Sequence, residues 1–202
     1  MSLGLFADDV TFHQRFLIAG GFDPGRVDGE WGPRTDAADQ AFIAESGRLA
    51  DTLGRFDPRS ESNLLTLHLP VQRSARAFLR RVLDAGIDAR IISGTRTYAE
   101  QDKLFRQGRF GNPGNIVTKA RGGRSWHNFG VAWDIGIFDG GRYLGESPLY
   151  TRASQVGLDG ILEWGGNWVS FVDRPHYQLL PGTIQVADTR ELFEHGQAFE
   201  FA

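Results

Sequence analysis

The chain contains no cysteine. That excludes a disulfide framework, a thiolate metal site and a cysteine nucleophile, so a metal centre here would need histidine and carboxylate. Lysine is nearly absent as well, Lys103 and Lys119 being the only two; with arginine plentiful, this reads as a bias of the source as much as a functional signal. Histidine is scarce, with five in the chain. No run approaches the roughly 20 apolar residues that a membrane span requires. The net charge of −3 gives no basic footprint, and no nucleic-acid partner is expected. Met1 to Val10 carries Asp8 and Asp9 but no basic residue, unlike a secretory signal peptide. The expectation is a protein made in the cytoplasm without a Sec signal. It would reach any substrate outside the cytoplasm by another route.

What is present suits an ordinary globular protein. At 202 residues, 41% hydrophobic and 23% charged, the chain can hold one catalytic domain and a small accessory one. Val10, Phe12, Phe16, Leu17 and Ala19 recur at helical spacing over residues 8 to 20, and Gly20-Gly21 ends that helix. A turn-rich loop from Phe22 to Pro33 leads to a second helix over Thr35 to Ala44. Residues 46 to 63 are polar and punctuated by Gly47, Gly54 and Pro58, which marks a junction. The expected division is therefore a helical module over 1–47 and a catalytic domain over 48–202.

In the second part, Val71, Ala75, Phe78, Leu79 and Val82 share one helical face, leaving Arg73, Arg76, Arg80 and Arg81 largely outward. Ala89 to Ser93 reads as a strand. Thr97 with Glu100 fits a capping box that opens a helix from Tyr98 to Gln107, so Arg96 lies where a strand gives way to a helix. Residues 108 to 124 form a long glycine-rich loop, a length usually tied to function or mobility. Phe129 to Phe138 reads as a strand, and Asp139-Gly140-Gly141 as a hairpin turn into Arg142 to Leu144. A helix over 148 to 158 and a last strand over His176 to Leu180 follow, while the tail from 181 carries little signal. The whole predicts an α+β fold: a small antiparallel sheet flanked by helices, preceded by the helical module.

The chemistry concentrates in Ser125-Trp126-His127-Asn128-Phe129-Gly130-Val131-Ala132-Trp133-Asp134 and in Asp173-Arg174-Pro175-His176. A catalytic zinc takes three protein ligands from His and carboxylate and keeps one position open. His127 and Asp134 are seven residues apart, which in a straight strand would place them on opposite faces. The segment must bend, and Gly130 is where it can. His176 is the natural third ligand. Asp173, three residues before it, is placed to take and return the proton. Arg96 would supply a fixed cation for a substrate carboxylate or an oxyanion. A lone histidine is more often a core residue than a ligand, but the company of Asp134 and Asp173 reverses those odds for His127 and His176. His13, His68 and His195 lack such company and read as structural, and Glu163 is the second choice for the proton carrier.

These motifs resemble a known family. Ser125-x-His127-x-x-Gly130-x-Ala132-x-Asp134, with Asp173-x-x-His176 after it and Ser93-Gly94-x-Arg96 before it, resembles the zinc D,D-carboxypeptidase and L-alanyl-D-glutamate peptidase family over roughly residues 56 to 180. The resemblance implies His127, Asp134 and His176 as zinc ligands, Asp173 as general base, Arg96 as a transition-state stabiliser and Ser125 as a substrate contact. Asp173 and the Leu162-Glu163-Trp164-Gly165-Gly166 run are closer to the L-alanyl-D-glutamate branch, although Asn167 stands where that branch often has Asp. The implied substrate is the peptidoglycan stem peptide, cut at the L-Ala–D-Glu bond. The alternatives are D-alanyl-D-alanine carboxypeptidase activity, a wall-degrading effector delivered by a secretion system, and a wall-binding protein that has lost catalysis. Val27-Asp28-Gly29-x-Trp31-Gly32-Pro33-x-Thr35 separately resembles a peptidoglycan-binding helical module. A monomer is expected, with an immunity or delivery protein as a further partner of a delivered effector.

Overall fold

The computed structural model describes residues 7–182 and 185–201. Met1 to Phe6 of the N-terminal stretch considered above lie outside the described residues. The fold is α+β, with seven α-helices and a five-stranded antiparallel sheet among the described residues. The chain forms two compact units. One comprises Met1–Glu45, Arg96–Phe129 and Pro181–Ala202, and the other Ser46–Thr95 and Gly130–Leu180.

The first unit is built around helix α1 (Ala7–Ala19), the start of α2 (Pro33–Leu53), α5 (Tyr98–Arg106) and α7 (Val186–Glu194). Its core is aromatic. Phe12 of α1 meets Phe193 of α7 at 5.2 Å and Tyr98 of α5 at 6.0 Å, and Phe16 meets Phe42 edge-on at 5.4 Å. The loop between α1 and α2 is organised by one buried side chain, Gln14. Its carbonyl accepts from the N–H groups of Asp28 and Gly29, and its amide donates to the Asp28 carboxylate and the Glu30 carbonyl. Thr97 and Glu100 form the expected capping box at the start of α5. Helix α7 falls in the tail that carried little signal. Only Thr189 and Phe193 of its nine residues are buried, too short an apolar stripe to stand out by periodicity.

The second unit contains the whole sheet, whose order is β1-β2-β5-β4 with β3 against β2: β1 Ala89–Ser93, β2 Ala132–Asp139, β3 Arg142–Leu144, β4 Glu163–Trp164 and β5 His176–Gln178. Helices α3 (Pro58–Leu64), α4 (Leu69–Asp84) and α6 (Leu149–Gly157) complete it. Val71, Ala75, Phe78, Leu79 and Val82 of α4 are fully buried, as their spacing predicts, and Phe78 packs on Tyr177 at 4.3 Å and Trp133 at 6.2 Å.

One expectation needs correction, and another gains detail. Residues 46–63, read as a junction, are mostly helical, and the two units divide at their start, between Glu45 and Ser46. Helix α2 runs through Gly47 to Leu53, and Asp57 caps α3 by accepting from the N–H groups of Arg59 and Ser60. A mid-helix glycine costs about 1 kcal/mol relative to alanine, and burial of Leu49 and Ala50 one turn on offsets it. The correction concerns Arg76, which does not face outward. It is fully buried and forks onto the carboxylate of Glu61 at 2.7 and 2.9 Å, joining α4 to α3.

Candidate metal centre

The sheet positions two of the candidate ligands through its backbone ladder. Asp134 of β2 stands directly opposite His176 of β5, and their side chains meet with Oδ1 and Nδ1 3.3 Å apart. Directly opposed residues on neighbouring strands project to the same face, so the register alone brings these donors together. His127 is held differently. Trp126–Phe129 is a 3₁₀ turn rather than the start of the strand, and β2 begins only at Ala132. The bend between them falls at Gly130, whose φ of +68° is the left-handed region that glycine enters freely.

The result is a group of three donors. His127, Asp134 and His176 each offer a ligand atom, and these atoms all lie within 4.8 Å of one another. Both imidazoles are buried. Two imidazoles and one carboxylate are a nitrogen–oxygen donor set that can hold a transition-metal ion. The electrostatics also fit a cation. Burial disfavours the charged form of His176, yet hydrogen bonding to Asp134 and its negative charge, with Gln178 and Asp173 adding to them, raise its pKa above the ordinary imidazole value. The negative charge that favours a proton on His176 favours a divalent cation in the same place.

Asp173 is half-buried three residues before His176. Its N–H donates to the carbonyl of Gly165 and its own carbonyl accepts from the N–H of His176. The backbones approach so closely that a Cβ on Gly165 would stand 2.5 Å from the Asp173 carbonyl oxygen, so residue 165 must be glycine. Asp173 lines an open groove of about 670 Å³ with Glu146, Tyr150, Val172 and Arg174. The indole of Trp168 lies against the His176 ring at 4.9 Å, and that of Trp164 donates to the Arg174 carbonyl.

Arg96 and Ser125 belong to the segment that carries His127. The N–H of Arg96 donates to the His127 carbonyl at 2.9 Å, and its guanidinium reaches Gln101 at 3.4 Å. What fixes this segment is Asn128, fully buried and unremarked in the sequence reading. Its side-chain carbonyl accepts from the N–H groups of Gly123 and Ser125, and its amide donates to the carbonyls of Arg96 and Thr97. All four hydrogen-bonding positions of that side chain are used. Gln178 was also missed, although a period of two puts it on the same strand face as His176. It bonds both His176 and Glu163, so one carboxylate oxygen of the second-choice proton carrier accepts from Gln178. Of the remaining histidines, His13 pairs with Asp39 and His195 bonds the Glu191 carbonyl.

Residues 118–179, which include all three donors and Asp173, match the M15 peptidase model described as D-alanyl-D-alanine carboxypeptidase. The peptidoglycan L-alanyl-D-glutamate endopeptidase CwlK of Bacillus subtilis is 37% identical over 127 residues, covering 57% of this chain and 74% of that protein. The chain belongs to the M15 family of metallopeptidases. The crystal structure of Serratia marcescens L-Ala D-Glu endopeptidase ChiX is also similar, at 31% identity and a TM-score of 0.47, over 62% of this chain and 90% of that one.

Proposed function

We propose that the chain is a zinc peptidase that hydrolyses the peptidoglycan stem peptide at the L-Ala–D-Glu bond. The observation that carries this reading is the convergence of His127, Asp134 and His176 in a chain 37% identical to an endopeptidase of that specificity. The three donors would hold the metal. Zinc, when bound, acts as a Lewis acid and makes hydroxide available near neutral pH. Asp173 receives a proton on its carboxylate and returns it to the leaving amine. Arg96 presents a guanidinium to negative charge at the scissile carbonyl or on a substrate carboxylate. Ser125 contacts the bound peptide.

The groove beside Asp173 has room for a short peptide segment. The helical region over 1–47 is proposed as a peptidoglycan-binding-like module ahead of a catalytic part over 48–202. The protein would work as a monomer in the periplasm or cell wall, with a delivery or immunity protein as a further partner if it is a secreted effector.

The test is digestion of purified peptidoglycan by zinc-loaded protein, followed by mass spectrometry. Cleavage at L-Ala–D-Glu exposes new D-Glu amino termini, and His127→Ala should release none. Free D-alanine alone would instead support the second reading, the D-alanyl-D-alanine carboxypeptidase activity named in the matched family description. Absence of both products sinks the enzyme reading.

A further inference from the structure

Strand β5 sends His176 and Gln178 to one face, and β4 places Glu163 directly opposite Gln178. The Gln178 side chain, 1% exposed, links the other two. Its Nε2 donates to Glu163 Oε2 at 2.8 Å, and its Oε1 lies 2.8 Å from His176 Nε2.

The direction of this chain follows from chemistry. An ionised carboxylate can only accept, so Glu163 requires the NH₂ end of Gln178. The amide oxygen is then turned to the imidazole and requires a hydrogen on His176 Nε2. That leaves Nδ1 as the nitrogen with a lone pair to offer, 3.3 Å from Asp134 Oδ1. Were the amide reversed, its NH₂ would face Nε2, and the proton would have to move to the nitrogen beside Asp134.

We infer that Gln178, oriented by Glu163, is a positioning residue that selects the Nδ1-ligating tautomer of His176 and so strengthens the grip on the metal. A partner that fixes the tautomer and orientation of a ligating histidine commonly contributes 10- to 100-fold in affinity. The bland alternative is that Gln178 only stitches β5 to β4. The inference rests on His176 as a ligand, and the experiment separates the two.

Zinc affinity of the full chain is measured by chelator competition, alongside the melting temperature of the metal-free protein. In cobalt-substituted protein, the exchange of the His176 Nε2–H proton is followed by its paramagnetically shifted NMR signal. Gln178→Leu should weaken zinc binding about 10- to 100-fold and lose the slowly exchanging proton. Gln178→Glu alone faces two carboxylates at one another and should not rescue. The double swap Glu163→Gln with Gln178→Glu restores the donor–acceptor order, and should return both the affinity and the protected proton. If Gln178→Leu does not fold, Glu163→Ala, at an exposed position, should still weaken zinc binding several-fold by freeing the amide to turn. Wild-type zinc affinity in Gln178→Leu, or in Glu163→Ala where the first does not fold, would overturn the inference and leave the metal reading standing. If the wild-type chain holds zinc no better than His176→Ala, His176 is not a ligand and the inference falls with that reading.

Discussion

Two ways of placing a functional side chain coexist in this molecule. In the sheet, Asp134 and His176 owe their positions to strand register, a property shared among many backbone hydrogen bonds. In the segment Arg96–Phe129, Ser125, His127 and Arg96 owe theirs to a 3₁₀ turn and to one amide, Asn128, which ties four backbone groups together. The first is distributed and should tolerate changes nearby. The second is concentrated in a single side chain and should not.

Removing the donors themselves gives the largest effects and tests whether both regions serve one centre. His127→Ala and His176→Ala should each abolish zinc retention, measured by elemental analysis after dialysis. Peptidoglycan cleavage should fall about 10³-fold or more, since a metal supplies several kcal/mol to the transition state. Retained zinc in His127→Ala would show that the sheet pair suffices and that the turn-borne histidine is not a ligand. Asp173→Ala should keep its zinc and lose roughly 10²- to 10⁴-fold in kcat. Wild-type activity in that variant would return the proton-transfer role to another group.

A paired substitution breaks the comparison more directly. Asn128→Ala leaves two carbonyls and two N–H groups of the turn without their partner. It should cost about 3 kcal/mol of stability, measured by denaturant unfolding, with a clear fall in activity as Arg96 and Ser125 lose their restraint. Ile135→Val, in the strand residue next to Asp134 and fully buried, should cost about 1 kcal/mol and leave zinc affinity unchanged. Equal damage to zinc affinity from the two would remove the distinction between distributed and concentrated placement.

The same distinction explains what could be read from the sequence. The core face of α4, the capping box at Thr97, the hairpin at Asp139 to Gly141 and the bend at Gly130 each follow from a local rule of spacing or backbone freedom, and each is legible. His127 and His176 stood out because histidine is scarce and because Asp134 and Asp173 keep them company in the same two motifs. Gln14, Asn128 and Gln178 did not stand out, because an uncharged amide carries no signal of burial until its partners, distant in the chain, are known. Arg76 misled for a related reason: on a helical wheel it faces outward, and only the position of Glu61 on another helix makes its burial tolerable.

That pair supplies the smallest expected effect on activity and the last test. Burial alone would raise the Glu61 carboxyl, but the hydrogen bonds and charge of Arg76 and the N–H of Phe56 outweigh it and hold the pKa below the ordinary value. A carboxylate depressed on folding contributes stability above its unfolded pKa of about 4.3, and that contribution disappears as pH falls through the lower, folded value. Glu61→Gln leaves the Arg76 guanidinium buried with a neutral partner and should cost about 2 kcal/mol at pH 7. Zinc affinity and kcat should stay at the wild-type level, because the pair braces α3 against α4 and touches none of the three donors. Repeated at progressively lower pH beneath the unfolded value, the difference in unfolding free energy between the variant and the wild type should shrink. A difference that stays constant with pH would show that the ionised carboxylate is not what stabilises the Arg76 guanidinium, and that the pair acts through packing alone.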